Sequence, residues 1–305
     1  MCNYIIKTVN LTKQFKSKTV IKNLNFTLKK GEICAIIGKN GAGKSTFFKM
    51  LSSQVLPTEG LIQLDNQEDK NLDLSRKKFS FLIEAPAFFD NFTAKQNLEY
   101  YRIQRGIDNK KLIEELIRMV KLEEHTKVTF SNYSMGMKQR LGIALCLLSN
   151  PDCLVLDEPT NGLDAEGIRE LRQLLINLNK EKNTTILISS HVLSELQNIA
   201  TRYVFLDKGK IIEDINANDF EKKSSQHLKI KVNDTSSAVD LLKQFERNLQ
   251  CEILEDNWII VKNNITDGSN INTFLTKNNI IVYEFKVEHH NLEGYFFNLL
   301  GGDLT

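Results

Sequence analysis

A chain of 305 residues with 41% apolar and 26% charged side chains has the composition of a soluble globular protein, sized for one large and one small domain. Its formal net charge of +2 is too small to recruit nucleic acid by bulk electrostatics. No run of about 18 apolar residues is available to span a bilayer, and Met1-Cys2-Asn3-Tyr4-Ile5-Ile6-Lys7 lacks a secretory leader's pattern, so a membrane role is expected to pass through a partner. The five cysteines (Cys2, Cys34, Cys146, Cys153, Cys251) show no paired spacing. Cys34, Cys146 and Cys153 sit in apolar runs, where they read as small buried hydrophobes in a reducing compartment.

Along the chain, Tyr4–Val9 and Asn23–Leu28 alternate as strands with one exposed face, and Lys29-Lys30-Gly31-Glu32 turns into the buried strand Ile33–Ile37. The run Gly38-Lys39-Asn40-Gly41-Ala42-Gly43-Lys44-Ser45-Thr46 follows and opens a helix through Phe47–Leu51. Strand, glycine loop and helix in that order form a phosphate cradle. Gly38, Gly41 and Gly43 are expected to adopt backbone angles closed to other residues and so turn successive N–H groups inward. The helix start adds positive potential, Lys44 reaches the outer phosphates, and the Ser45 hydroxyl can ligate Mg²⁺. The chain is therefore expected to bind a nucleoside triphosphate.

Pro57-Thr58-Glu59-Gly60 marks a turn into a strand at Leu61–Leu64. From about Thr93 to Leu148 the period is helical, with Leu112, Leu116, Ile117 and Val120 at spacings of three and four. Leu154–Asp157 reads as a short strand ending in acid, Ala165–Asn179 as an amphipathic helix, Thr185–Ile188 as a buried strand, and a further helix starts near Val192. Buried strands alternating with helices predict a mostly parallel sheet covered on both faces. The polar run Glu221-Lys222-Lys223-Ser224-Ser225-Gln226 marks a boundary. Beyond it, strands at Leu228–Val232, Glu252–Leu254, Trp258–Val261 and Ile280–Tyr283, with helices near Val239–Asn248 and Ile271–Asn278, give a β-α-β-β-α-β order ending in a helix over Leu292–Leu300.

Asp157 and Glu158 close the Leu154-Val155-Leu156 strand. A carboxylate at a strand's C-terminal end can hold Mg²⁺, the reading for Asp157, and Glu158 is placed to polarise water for in-line attack on the γ-phosphate. An Asp-Glu pair alone is equally a solvated strand end. Behind a glycine loop in the same sheet it reads as chemistry.

With these motifs together, the sequence resembles the nucleotide-binding subunits of ABC transporters. Tyr133-Ser134-Met135-Gly136-Met137-Lys138-Gln139-Arg140 resembles the family signature, usually Leu-Ser-Gly-Gly-Gln, with Ser134 and Gly136 matching and Met135 and Met137 departing. The resemblance implies that Ser134 and Gly136 contact the γ-phosphate held by a second subunit; taken alone, Ser134 reads as a helix N-cap. Asn161-Gly162-Leu163-Asp164 matches the D-loop, and His191 the switch histidine that contacts the γ-phosphate. Phe15 stands where the family places an aromatic on adenine, with core packing as the alternative. The implied fold is α/β. Residues 1–220 form an ABC-type P-loop domain with a mostly parallel sheet, an antiparallel β subdomain and a helical insertion at about 85–150; residues 221–305 form a small C-terminal accessory α/β domain.

One departure separates subfamilies. The family's usual Gln between core and insertion is replaced by Glu84, in Phe81-Leu82-Ile83-Glu84-Ala85-Pro86-Ala87-Phe88. That replacement, the signature variant and the C-terminal domain resemble exporters of lantibiotic self-immunity and bacitracin type; neutral Gln/Glu drift is the plainer alternative. A carboxylate there can still ligate Mg²⁺, but it adds negative charge beside a triphosphate.

The resemblance implies a Mg-dependent ATPase working as a head-to-tail dimer, most simply a homodimer, with ATP between one subunit's glycine loop and the other's Ser134. It implies an integral membrane permease as partner, docked near Glu84 and Ala85–Asn91, and a peripheral place on the cytoplasmic face of the membrane, the isolated subunit being soluble. No nucleic-acid partner is expected. Other cargoes (a different drug, a lipid, an ion) keep the same chemistry. A soluble relative acting on ribosomes or DNA is the reading from another class, disfavoured by the single glycine loop and the lack of sustained heptads.

Overall fold

The computed structural model describes residues 4–68, 72–84, 87–190, 192–223, 226–246, 249–262, 268–289 and 292–300. The chain divides into two compact units, Met1–Ala217 and Asn218–Thr305.

In the first unit, β1 (Tyr4–Phe15), β2 (Lys18–Lys29) and β4 (Glu59–Leu64) form an antiparallel sheet in the order β2-β1-β4. A six-stranded sheet runs β5-β6-β7-β3-β8-β9, from β3 (Ile33–Ile37), β5 (Phe79–Leu82), β6 (Cys153–Asp157), β7 (Thr185–Ser189), β8 (Arg202–Asp207) and β9 (Lys210–Asn216). All its neighbours are parallel except β8 and β9. The strands β3 and β7 are buried at every position, β3 as an unbroken apolar run and β7 as Ile186-Leu187-Ile188 between Thr185 and Ser189.

Helix α1 (Lys44–Leu51) follows β3, and a single turn, α2 (Leu72–Arg76), precedes β5. The insertion is α3 (Ala94–Gln104), α4 (Lys111–Met119) and α5 (Met135–Leu147), packed on one another with α5 against β5. After β6 come α6 (Ala165–Lys182) and the short α7 (Leu193–Gln197). The core joins Phe26, Phe47, Phe48 and Leu51 to Ile36, Val155, Leu187 and Val204, so that α1 is clamped between the two sheets. Phe47 meets Phe26 edge to face at 5.4 Å.

Cys34 and Cys153 belong to this core and Cys146 is buried elsewhere; burial pushes the Cys146 thiol up to about 12 and those of Cys34 and Cys153 upward too. They remain protonated packing groups.

The second unit holds α8 (Ala217–Lys223), which begins one residue before it, β10 (Gln226–Val232), α9 (Thr235–Phe245), β11 (Gln250–Ile253), β12 (Trp258–Lys262), α10 (Gly268–Lys277), β13 (Val282–His289) and α11 (Leu292–Leu299). Its antiparallel sheet runs β11-β12-β10-β13. Leu228, Ile230, Val232, Ile259 and Val261 on one face pack against Leu242 of α9 and Leu275 of α10.

Candidate functional site

The glycine loop leaves the centre of the six-stranded sheet between β3 and α1. Gly41 and Gly43 have φ of +81° and +114°, the left-handed region that favours glycine. Gly38 does not; it is needed for space, because a Cβ there would lie 2.5 Å from the Leu206 carbonyl oxygen. This corrects the expectation that all three glycines serve backbone angle. A Cβ on Gly43 would also meet Ile21 Cδ1 at 2.6 Å, so β2 presses on the loop from one side. From the β8–β9 turn, the Gly209 N–H donates to the Ala42 carbonyl at 2.9 Å and fixes the other side.

No side chain caps α1 at Gly43, and its first backbone bond runs from Phe47 N–H to the Gly43 carbonyl. The helix start thus faces the loop with its positive end unneutralised by a capping carboxylate. Lys39, Asn40, Gly41 and Ser45 are exposed, Thr46 is half-buried, and Ala42 and Lys44 are buried. Lys44 curls back so that Nζ donates to the Gly38 carbonyl at 2.7 Å. It lies 3.7 Å from Glu158 Oε1, which joins the loop to the acids.

The acids are set by β7. Asp157 ends β6 in register with Ser189 of β7, and Ser189 in turn pairs with Ile36 of β3. The fully buried Ser189 hydroxyl donates to Asp157 Oδ1 at 2.5 Å and accepts the Glu158 N–H at 3.0 Å. Glu158 takes φ of +50°, uncommon outside glycine, which reverses the chain immediately after Asp157. Its Oε2 accepts from Asn161 Nδ2 at 3.2 Å, while Oε1 faces Lys44. Two adjacent carboxylates are thereby aimed differently, one along the strand end and one toward the Lys44 ammonium.

Phe15, at the β1–β2 hairpin, is 45% exposed, with Lys13 Nζ 4.8 Å above its ring. The core-packing alternative does not hold for it. Ser134 is the N-cap of α5, its oxygen accepting the Met137 N–H at 3.2 Å. It lines a hollow with Gly136, Gly162, Leu163 and Asp164, so signature and D-loop share one surface. Contact is close: a Cβ on Gly136 would lie 3.0 Å from the Gly162 carbonyl oxygen, and one on Gly162 would lie 2.3 Å from Met135 Cγ. Met135, a departure from the usual signature, is the residue that occupies this space. Glu84 follows β5 with φ of +66°, and its carboxylate pairs with Lys49 Nζ at 2.5 Å. Lys49 stands one helical turn beyond Ser45 on the same face of α1. His191 lies outside the described residues, as do Ala85 and Pro86 of the expected docking loop.

With this geometry in view, a family model described as ABC transporter matches residues 21–161. Over 98% of its length the chain is 38% identical to the bacitracin transport ATP-binding protein BcrA of Bacillus licheniformis, covering 98% of that protein. The chain belongs to the ABC transporter ATP-binding proteins. It is also 40% identical to the lantibiotic transport ATP-binding protein SrtF of Streptococcus pyogenes, over 68% of this chain and 89% of that protein. Among solved structures it resembles the dimeric post-hydrolysis state of the ATP-binding cassette MJ0796 bound to ADP and Pi, with TM-score 0.65 and 28% identity over 70% of this chain and 98% of that one.

This ABC protein is thus an ATP-hydrolysing member of the family, as the motifs led one to expect. Sequence reading placed the chemistry on Lys44, Glu158 and His191, with Asp157 for the metal; the fold gathers Lys44, Asp157 and Glu158 around one strand end, and His191 lies outside the described residues. It overlooked Ser189, which donates to Asp157, and Lys49, which pairs with Glu84, and it named Asn161 only as part of the D-loop match, not as the donor to Glu158. The available signal for Ser189 was a hydroxyl in the last place of an otherwise buried strand, where an unpartnered polar group is costly.

Proposed function

We propose that the chain is the ATP-hydrolysing subunit of an exporter that protects its cell from a peptide antibiotic of bacitracin or lantibiotic type. The observation that carries this reading is the likeness to a bacitracin transport ATP-binding protein across 98% of the chain, which takes in the C-terminal unit as well as the cassette. The cassette unit is the motor; the C-terminal unit is an accessory domain.

In this reading ATP is held by the glycine loop, α1's open start and Lys44, with Phe15 exposed beside adenine. Ser45 and Asp157 supply hard oxygen donors of the kind Mg²⁺ takes, and the ion, when bound, neutralises phosphate charge. Glu158, oriented by Asn161 and the Ser189-held backbone, positions the attacking water. His191, assigned by resemblance, completes the γ-phosphate contacts. Glu84 is a less ready metal ligand, because it would have to leave Lys49. The same pairing offsets the negative charge that Glu84 adds near the triphosphate.

The second half of the pocket comes from Ser134 and Gly136 of the partner subunit, in a head-to-tail homodimer. An integral membrane permease docks on the insertion side. A hollow of about 710 Å³ lined by Phe79–Leu82 of β5, Arg105, Leu145 and Cys146 offers it a groove. The subunit is therefore peripheral, at the cytoplasmic face of the membrane. The half-site arrangement has a direct test: ATP turnover per subunit rises with protein concentration and reaches a plateau as dimers form. Full turnover by a strict monomer, independent of concentration, would remove the shared pocket and with it the mechanism.

Glu84 tests the cargo. Glu84→Gln removes the ion pair with a mostly exposed carboxylate, worth at most about 1 kcal/mol, so ATPase activity is expected to stay within about twofold of wild type. Protection of cells against the peptide antibiotic is expected to fall, as read from the minimal inhibitory concentration with the permease co-expressed. Equal protection by both forms would leave the subfamily reading without its sequence argument.

A further inference from the structure

The second unit covers its four-stranded sheet with α9 and α10 on one face, against Leu228, Ile230, Val232, Ile259 and Val261. Strand alternation sends the intervening residues to the other face: Lys229 and Lys231 of β10, Trp258 and Ile260 of β12, and Glu284 and Lys286 of β13. Register sets Lys231 beside Trp258 and Lys229 beside Lys286. Three ammonium groups converge on the single Trp ring, with Nζ of Lys229, Lys286 and Lys231 at 5.0, 5.2 and 5.7 Å from its centroid. Glu284 lies among them, paired to Lys286 at 2.6 Å, its carboxyl held below the ordinary range by that hydrogen bond and then by the charges of Lys286, Lys231 and Lys229. Glu252 of β11, in register with Ile260, stands on the same face; among the described side chains two carboxylates and one ring quadrupole face three ammonium groups, which leaves the patch net positive. Where β13 slips register opposite Val232, Tyr283 is left 60% exposed.

We propose that this open sheet face docks on an anionic phospholipid surface. The inference rests on the membrane-exporter reading, which places the chain beside a leaflet carrying negative lipids. Charge complementarity selects the occupant: phosphate headgroups relieve the repulsion among the lysines. Trp and Lys are side chains that settle at the headgroup level. Nucleic acid is disfavoured, because the lysines already sit over the aromatic face on which a base would stack.

The test is flotation of the full-length chain with vesicles of phosphatidylcholine alone, or with about a third phosphatidylglycerol, at low and high salt. Wild type is expected to float only with the anionic vesicles and to be released by salt. Each lysine near such a surface is worth about fivefold, so Lys229→Gln, Lys231→Gln and Lys286→Gln combined should weaken partitioning on the order of a hundredfold. The three matching Lys→Arg changes, which keep the charge, should retain it and guard against a folding artefact. Equal flotation of the Gln variant and wild type, flotation only with membranes that contain the permease, or preferential capture of a single-stranded RNA oligonucleotide would each overturn the proposal. ATP turnover by the same preparations separates the two readings. Its absence in wild type would count against the motor, whereas absent flotation with intact turnover would count against this surface alone.

Discussion

Glu158→Gln is expected to lower kcat for ATP by about 10²- to 10⁴-fold, the range that a positioned general base contributes. Nucleotide binding should survive, because the grip on ATP comes from the glycine loop and α1, which the substitution leaves alone. Gln is isosteric, and its amide oxygen can still accept from Asn161, so the left-handed turn at Glu158 has no reason to relax. Removing the negative charge 3.7 Å from Lys44 also frees that ammonium for phosphate. Affinity for ATP should accordingly hold or improve while turnover collapses. In this ABC ATPase, hydrolysis would no longer reopen the pair, and a nucleotide-bound dimer should accumulate, visible by sedimentation with ATP. Turnover within about tenfold of wild type would remove Glu158 as the base, the loss then being less than one positioned proton acceptor accounts for.

Why this much was readable before any coordinates is a matter of range. The glycine loop is a local object: strand, loop and helix are contiguous, and Gly41 and Gly43 serve the backbone angles of the loop itself. Even so, the reason for Gly38 lies in Leu206, far along the chain, and only the packed sheet reveals it. The Asp157–Glu158 pair was visible because it closes a buried strand behind a glycine loop in the same sheet; alone it reads equally as a solvated strand end. The paired strands β8 and β9 escaped notice. For β8 the signal was present, the apolar run Tyr203-Val204-Phe205-Leu206 between Arg202 and Asp207, and was passed over; β9 alternates under half-exposed residues and shows no such run.

What stayed hidden are side-chain partners drawn from different strands and helices. Nothing in the sequence says that Lys49 holds Glu84, although the pairing changes the electrostatic cost assigned to Glu84. Nor does it say that Lys229, Lys231 and Lys286 meet over Trp258, since the two lysines of β10 and the one of β13 lie more than fifty residues apart. Antiparallel register makes them neighbours.

Ser189 is the residue whose importance only the fold exposes, and its replacement is expected to be the second most damaging. Ser189→Ala removes a donor to the Asp157 carboxylate and an acceptor for the Glu158 N–H in one step. A hydrogen bond to a charged group is worth about 1.5–3 kcal/mol, so a comparable loss of transition-state positioning would lower kcat by about 10- to 100-fold. KM for ATP should change little, since the glycine loop does not depend on this hydroxyl. The Mg²⁺ concentration for half-maximal activity should rise, because Asp157 loses the bond that orients it. Ser189→Thr keeps the hydroxyl at the cost of a methyl group in a fully buried place, and should restore part of the activity. A purely structural role predicts the reverse pattern: a lower melting temperature for both variants, with wild-type turnover and unaltered Mg²⁺ dependence. That outcome would reduce Ser189 to a packed strand-end hydroxyl and leave the orientation of the two acids to the backbone alone.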